Sequence, residues 1–318
     1  MSSLLTPIIL FVYNRPLHTK QTIEALLRNE DAKNSPLYIY ADGPKDDATE
    51  ENKRKIAEVR RYIHSVSGFS SIKITEQPIN KGLDPSEIDA ITEIIEQYGK
   101  VIVLEDDVIV HRYFIRFMNE ALEYYKDNKK VNSIGSYNPN IPFINQIKQD
   151  VYASYRTATF GWATWLDRWS LCKWEKSYLL DKRRLCNRFK YNRGGGDLYD
   201  NLQHYLNGLN DAWDARWQYS LYENNSVCIR PTKSLSYNIG FDGTGEHCGI
   251  VNDVETIKPI LYSSDEYLMV FTKNIRVSYR LQYVMYHYFK YDRTPLHKKI
   301  KWKIKCIIRK IFKQRNEC

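Results

Sequence analysis

At 318 residues, with 43% hydrophobic and 27% charged side chains, the composition is that of a folded globular protein with an ample core, which excludes a disordered or fibrous chain. The formal charge of +9 is confined: ten Lys or Arg and no acid lie between Arg293 and Arg315, leaving 37 basic against 38 acidic residues elsewhere. A neutral body without interleaved basic and aromatic motifs argues against nucleic acid as a partner.

The opening residues, MSSLLTPIILFVYNRP, carry no charged leader, and their apolar run is too short to cross a membrane. PIILFVY (7–13) reads as a first strand and Pro16 opens a helix through Leu27. LYIYAD (37–42) is a second strand, followed by a charged helix over 48–64. SIKITEQ (71–77) is a third strand, and DPSEIDAITEIIEQYG (84–99) a helix with Asp84 as its N-cap and Gly99 at its end. VIVLEDDVIV (101–110) is the fourth strand. Strands alternating with helices predict an α/β fold, a mostly parallel sheet with helices on both faces. Ligands of such sheets bind beyond the carboxyl ends of the strands. YNRP (13–16), ADGP (41–44) and EDD (105–107) all fall there.

After residue 130 the pattern becomes irregular and rich in aromatics, drawing on the chain's 25 tyrosines and 7 tryptophans. Three glycines in a row, 194–196, suggest a mobile loop. From 297 to 315 the helical period returns, with Ile300, Ile304, Ile307, Ile308 and Ile311 on one stripe among lysines and arginines. Six cysteines with no CxxC pair fit a reducing compartment and give no zinc spacing.

Glu105, Asp106 and Asp107 interrupt an aliphatic run, where unpaired charge is costly. Either water reaches them in a strand-end turn, or they hold something positive. Three acids at a strand end suit Mg2+ or Mn2+, which take one or two carboxylates and complete their shell with water and substrate phosphates.

VIVLEDDVIV followed by FIRFMNEAL resembles the signature of the N-acetylglucosaminyltransferase I family, within the GT-A fold of glycosyltransferases. The similarity runs over most of residues 6–249. It implies a GT-A catalytic domain over 1–272, with a nucleotide-sugar half (1–110) and an acceptor half (111–272), before a basic helical tail (273–318). It also implies that Asp107 ligates the metal while Glu105 and Asp106 bond the donor's sugar and ribose. Asn14 and Arg15 would approach the diphosphate, and Asp42 would read the uracil ring. Lys81 and Gly82, in NKGL, would lie beside the nucleotide. Asp42 has a plainer reading as an Asx-turn acceptor before Gly43, and Arg15 as an exposed loop cation.

Sugar transfer with inversion needs one carboxylate to deprotonate the acceptor hydroxyl. NDAWDARW offers Asp211 and Asp214. The family carries a Trp-Asp pair before a CIRP-like strand, which selects Asp214, beside Trp213; a structural ion pair of Asp214 with Arg216 or Arg168 is the alternative. By the same resemblance the FGWATW segment forms part of the site wall, with Trp162 in the core and Trp165 facing the acceptor as one arrangement that the sequence leaves open. GFDGTGEH (240–247) would close over the diphosphate, His247 reaching phosphate or metal.

The basic amphipathic tail, with Trp302, suits an anionic membrane surface. That predicts a peripheral enzyme on the cytoplasmic face of a bacterial plasma membrane, acting on a glycan or lipid-linked acceptor. Two rival readings are a nucleotidyltransferase, which YNRP disfavours for want of a glycine-rich triphosphate loop, and a catalytically silent carbohydrate-binding protein.

Overall fold

A computed structural model of the chain describes residues 5–141, 143–182, 186–210, 213–243 and 259–290. Asp211, His247 and the Ile-striped helix expected over 297–315 lie outside them. The first strand, β1 (Ile8–Val12), is buried along its whole length. Its alternate side chains split between two cores, Ile8, Leu10 and Val12 on one face and Ile9 and Phe11 on the other. Pro16 opens α1 (Pro16–Leu27) at a position where its missing N–H costs nothing. Then follow β2 (Pro36–Ala41), α2 (Glu50–His64), β3 (Ser71–Glu76), α3 (Leu83–Tyr98) and β4 (Lys100–Glu105). The Thr49 side chain caps α2 by accepting from the Asn52 amide at 3.2 Å.

The cap expected at Asp84 is corrected by the structure. Gly82, at φ 79°, occupies the cap of α3, and Asp84 lies in the first turn, where its carboxylate pairs with Arg216. The remaining sheet strands are β6 (Val131–Gly135), β7 (Val151–Ser154), β8 (Trp162–Trp165) and β9 (Val227–Pro231). The order is β3-β2-β1-β4-β8-β6-β9-β7. The first four run parallel, β8 is antiparallel to β4 and β6, β9 is parallel to β6, and β7 is antiparallel to β9. Helices α1, α2 and α4 (Phe114–Tyr125) cover one face; α3 and a tryptophan cluster cover the other.

From β1 the chain winds outward to β2 and β3, and then returns across β1 to place β4 on its other side. This reversal is a topological switch point between β1 and β4. Residues 101–110 are not one strand. The chain leaves the sheet at Asp106, and β5 (Val108–Val110) pairs antiparallel with β10 (Ser236–Asn238) in a separate ribbon. Two buried carboxylates in succession break the ladder because their partner lies beyond the sheet edge.

The second half of the chain adds short helices α5 (Leu166–Trp169), α6 (Lys176–Lys182), α7 (Arg188–Tyr191), α8 (Leu198–Leu206) and α9 (Asp214–Glu223). A last helix, α10 (Tyr279–Lys290), falls within the segment assigned to a tail, yet it packs on the body through Leu281 and Met285 against Ile141, Ile144 and Tyr152. Its seat is the triple glycine, which is buried and is not a free loop. The Gly196 amide donates to the Tyr286 carbonyl at 3.1 Å. A Cβ there would stand 2.6 Å from Lys290 Cβ and 2.7 Å from the Tyr286 oxygen. None of the described helices is long and apolar enough to cross a membrane.

Gly196→Ala should therefore push α10 off its seat and destabilise the fold by about 1–3 kcal/mol, the usual cost of overpacking. Thermal unfolding of the two proteins checks this, and an unchanged Tm would contradict it.

Candidate active site

The loops after β1, β2 and β4 meet, together with the entry to α3, around one cavity of about 260 Å³ at the switch point. Phe11 and Tyr40, their ring centres 5.9 Å apart, contribute its apolar end. The Tyr40 hydroxyl donates to Glu93 at 3.0 Å, which fixes that ring. Asn14, Arg15, Asp42, Lys81, Gly82 and the acidic triplet all line the same space. Asn14 sits at the rim, its amide 3.5 Å from Asn52 of α2. Asp42 Oδ1 accepts from the Gly43 amide at 2.8 Å and from the Lys81 amide at 3.0 Å. The Asx turn is not formed, because Pro44, two residues on, has no N–H; Asp42 instead accepts from the adjacent Gly43 amide and with the same oxygen ties Lys81 to the end of β2.

Arg15 is no free cation. Its Nη2 pairs with Asp106 and its Nη1 donates to Asp107 Oδ2 at 3.0 Å. Asp107 Oδ1 accepts from Asn238 Nδ2 at 2.9 Å, while the Thr22 hydroxyl donates to the Asp106 carbonyl at 2.7 Å. Asp106 and Asp107 are each only 3% exposed, so they do not form a solvated turn. Burial raises Glu105 to about 8, reinforced by the charges of Asp107 and Asp106. Burial also raises Asp106, to about 6, although Arg15 opposes it. Gly240 passes so close that a Cβ would stand 2.2 Å from Asp107 Oδ2. A side chain there would have to displace the Asp107 carboxylate from Arg15.

Two buried polar atoms among the lining residues, Asp106 Oδ2 and Ser86 Oγ, have no hydrogen-bond partner in the structure. Among the described residues no three His, Cys, Asp or Glu side chains gather as a metal cage. The donor set fits a cation that takes one or two carboxylates and fills its shell from water and ligand phosphates.

Asp214 opens α9 and is half-buried, within electrostatic reach of Glu105 and of Glu87. The partners considered for it are engaged elsewhere. Arg216 pairs with Asp84 and donates to the Trp174 carbonyl, and Arg168 donates to Asp167 and to carbonyls at the end of α4. Trp162 lies in the core, as one reading of FGWATW has it, and Trp165, read as facing the acceptor, is corrected to core as well. Trp162 is 1% exposed and stacks on Trp213 at 5.5 Å. Trp165 points to the opposite face of the sheet, where its Nε1 donates to the Leu122 carbonyl and Arg168 covers its ring at 4.2 Å.

Asn238, Ser86 and Glu87 are additions that sequence reasoning missed, whereas Gly240, which opens the GFDGTGEH segment, does lie against the acidic triplet. Glu87 had a legible signal: it lies four and seven residues before Ile91 and Ile94, on the buried stripe of α3. Asn238 had none beyond being polar at a strand end.

No family model matches the sequence, and no curated protein matches it. Solved structures do. A mannosyltransferase from Pyrobaculum calidifontis, in complex with GDP-Man and manganese, is 10% identical with a TM-score of 0.37, over 51% of this chain and 44% of that one. S. aureus TarS in complex with UDP-GlcNAc is 11% identical with a TM-score of 0.41, over 73% of this chain and 58% of that one. LgtC is 11% identical with a TM-score of 0.32, over 57% and 66%. The chain thus spans about half the length of the first two. Likenesses this low say nothing about activity.

Glu87 is 1% exposed, its Oε2 has no partner, and burial, with Glu105 and Asp214 nearby, raises its pKa well above the usual range. The folded state keeps a proton that the unfolded chain loses near pH 4.3. Its contribution is fully present below that pH and is lost as pH rises toward the folded pKa. Glu87→Gln should therefore raise Tm at pH 8 by roughly 2 °C or more, the gap closing toward pH 4. Thermal unfolding across that range decides it; a gap independent of pH would contradict it.

Proposed function

We propose that the chain is a GT-A glycosyltransferase that moves a sugar from a nucleotide diphosphate, UDP in the first instance, to a hydroxyl of a glycan or lipid-linked acceptor, with inversion. One observation carries the reading: three strand-end loops enclose a cavity at the switch point whose polar end holds an arginine against paired carboxylates. A nucleoside diphosphate matches that layout, an apolar ring at one end and charge at the other.

On this reading the nucleobase lies between Asp42 and the Phe11–Tyr40 end, and the second oxygen of Asp42 reads its edge. Arg15 bonds the diphosphate. Glu105 and Asp106 take the sugar and ribose hydroxyls, which would satisfy the orphaned Asp106 Oδ2. Asp107 would hold Mn2+ or Mg2+, which supplies neutralisation of charge on the departing diphosphate. Asp214 accepts the acceptor's proton as the new bond to the anomeric carbon forms and the bond to the diphosphate breaks. The acceptor enters from the aromatic half. The basic segment 293–315, outside the described residues, would keep the enzyme on the cytoplasmic face of a bacterial plasma membrane, beside such acceptors.

Release of UDP from a UDP-sugar, with and without a pooled lipid-linked acceptor fraction, tests the reading. Asp214→Asn should lower kcat by about 10²–10⁴ while leaving donor affinity within a factor of about two, since a base acts on the acceptor side. Asp107→Asn should abolish both turnover and the metal-dependent part of donor binding. Turnover unchanged in Asp214→Asn would remove it as the base, and unchanged donor binding in Asp107→Asn would remove the metal assignment.

A further inference from the structure

Helix α10 has two unlike faces. The inner face buries Leu281 (4% exposed) and Met285 (1%) on the body. The outer face, at i, i+3 and i+4 spacing, carries Arg276 just before the helix, Tyr279, Arg280 and Tyr283. Tyr279 is 89% exposed and Tyr283 65%, among the most exposed large side chains of the described residues. Tyr283 meets His287 in a tilted ring contact with centres 4.3 Å apart, and Arg280 lies over the Phe143 ring at 4.5 Å. Both side chains are thereby held at the helix edge.

From 267 to 315 the sequence has a single acid, Asp292, against four Lys or Arg in 273–290 and ten in 293–315. The basic character thus begins on a helix docked to the body and continues beyond it. Tyrosine rings with a hydroxyl at one end suit the polar–apolar boundary of a bilayer, and cations beside them suit anionic headgroups.

We infer that the outer face of α10 is a membrane-contact surface for an anionic bilayer, with Tyr279 and Tyr283 entering the headgroup layer and Arg276 and Arg280 pairing with lipid phosphates. This deepens the proposed reading of a lipid-linked acceptor by giving the catalytic body its own contact, distinct from the segment after it. It also sets the bilayer beside the acceptor half. On the inner side of the helix Phe289 packs on the Arg156 guanidinium at 3.8 Å, and Arg156, held by Asp197 at 2.7 Å, is within electrostatic reach of Asp214. A helix so connected brings acceptors carried in the membrane to the side of the molecule that holds the proposed base.

The test is co-sedimentation of the full chain with vesicles of phosphatidylcholine alone and of phosphatidylcholine mixed with phosphatidylglycerol, without nucleotide. The wild type should sediment with the anionic vesicles only. Tyr279→Ser/Tyr283→Ser and Arg276→Glu/Arg280→Glu should each weaken that binding by about tenfold or more, with Tm unchanged because these side chains are exposed. Equal binding to both vesicle types, wild-type binding by both variants, or tighter binding to single-stranded RNA than to anionic vesicles would overturn the assignment. Donor binding by calorimetry should be the same in all three proteins. A failure at the vesicle therefore leaves the transferase reading standing, and a failure to bind donor leaves the membrane surface standing.

Discussion

Arg15, at the end of β1, is bonded to Asp106 and Asp107, at the end of β4, and the cavity is organised around that pair of contacts. Two adjacent carboxylates at 3% exposure are tolerable only with a cation in contact, because removing one member of such a group leaves uncompensated buried charge at about 3–5 kcal/mol. The arginine is in place because Pro16 turns the chain into α1 directly after it. Thr22, two turns along α1, then holds the Asp106 carbonyl. Charge pairing, the start of a helix and the splitting of β4 from β5 are consequences of one constraint.

Neither half of the chain builds this centre alone. Asn238 and Gly240 reach Asp107 from the second half, and the Ile239 amide donates to the Asp107 carbonyl at 2.9 Å. The Asp84–Arg216 pair ties the entry of α3 to α9, and the stacked tryptophans under both helices make that junction rigid. Asp214 is consequently placed by packing from both sides. Asp214 of α9 lies close enough to the cavity to help raise Glu105 and Glu87.

The sheet of the first hundred residues was legible because its strands are short apolar runs and its helices carry punctuation such as Pro16 and Gly99. The gathering of YNRP, ADGP and EDD followed from parallel topology alone. What the sequence concealed depends on contacts distant along the chain. Asp84 looks like a cap until Arg216, 132 residues away, claims it. Gly194–Gly196 look like a flexible loop until α10 packs on them. Trp162 and Trp165 share a motif, yet alternation along β8 sends them to opposite cores. Asn238 is unreadable because its only distinction is the residue it meets.

The most direct test of the cavity is calorimetric titration of the purified wild-type chain with UDP, UDP-GlcNAc, GDP-mannose and ATP, each with manganese and with a chelator. A diphosphate site built on Arg15 and Asp107 requires one nucleoside diphosphate or its sugar to bind with a stoichiometry of one, more tightly with manganese, and ATP to bind more weakly. If no nucleotide binds under either condition, the arginine–carboxylate centre is a structural ion pair, and the chain is not a nucleotide-sugar transferase.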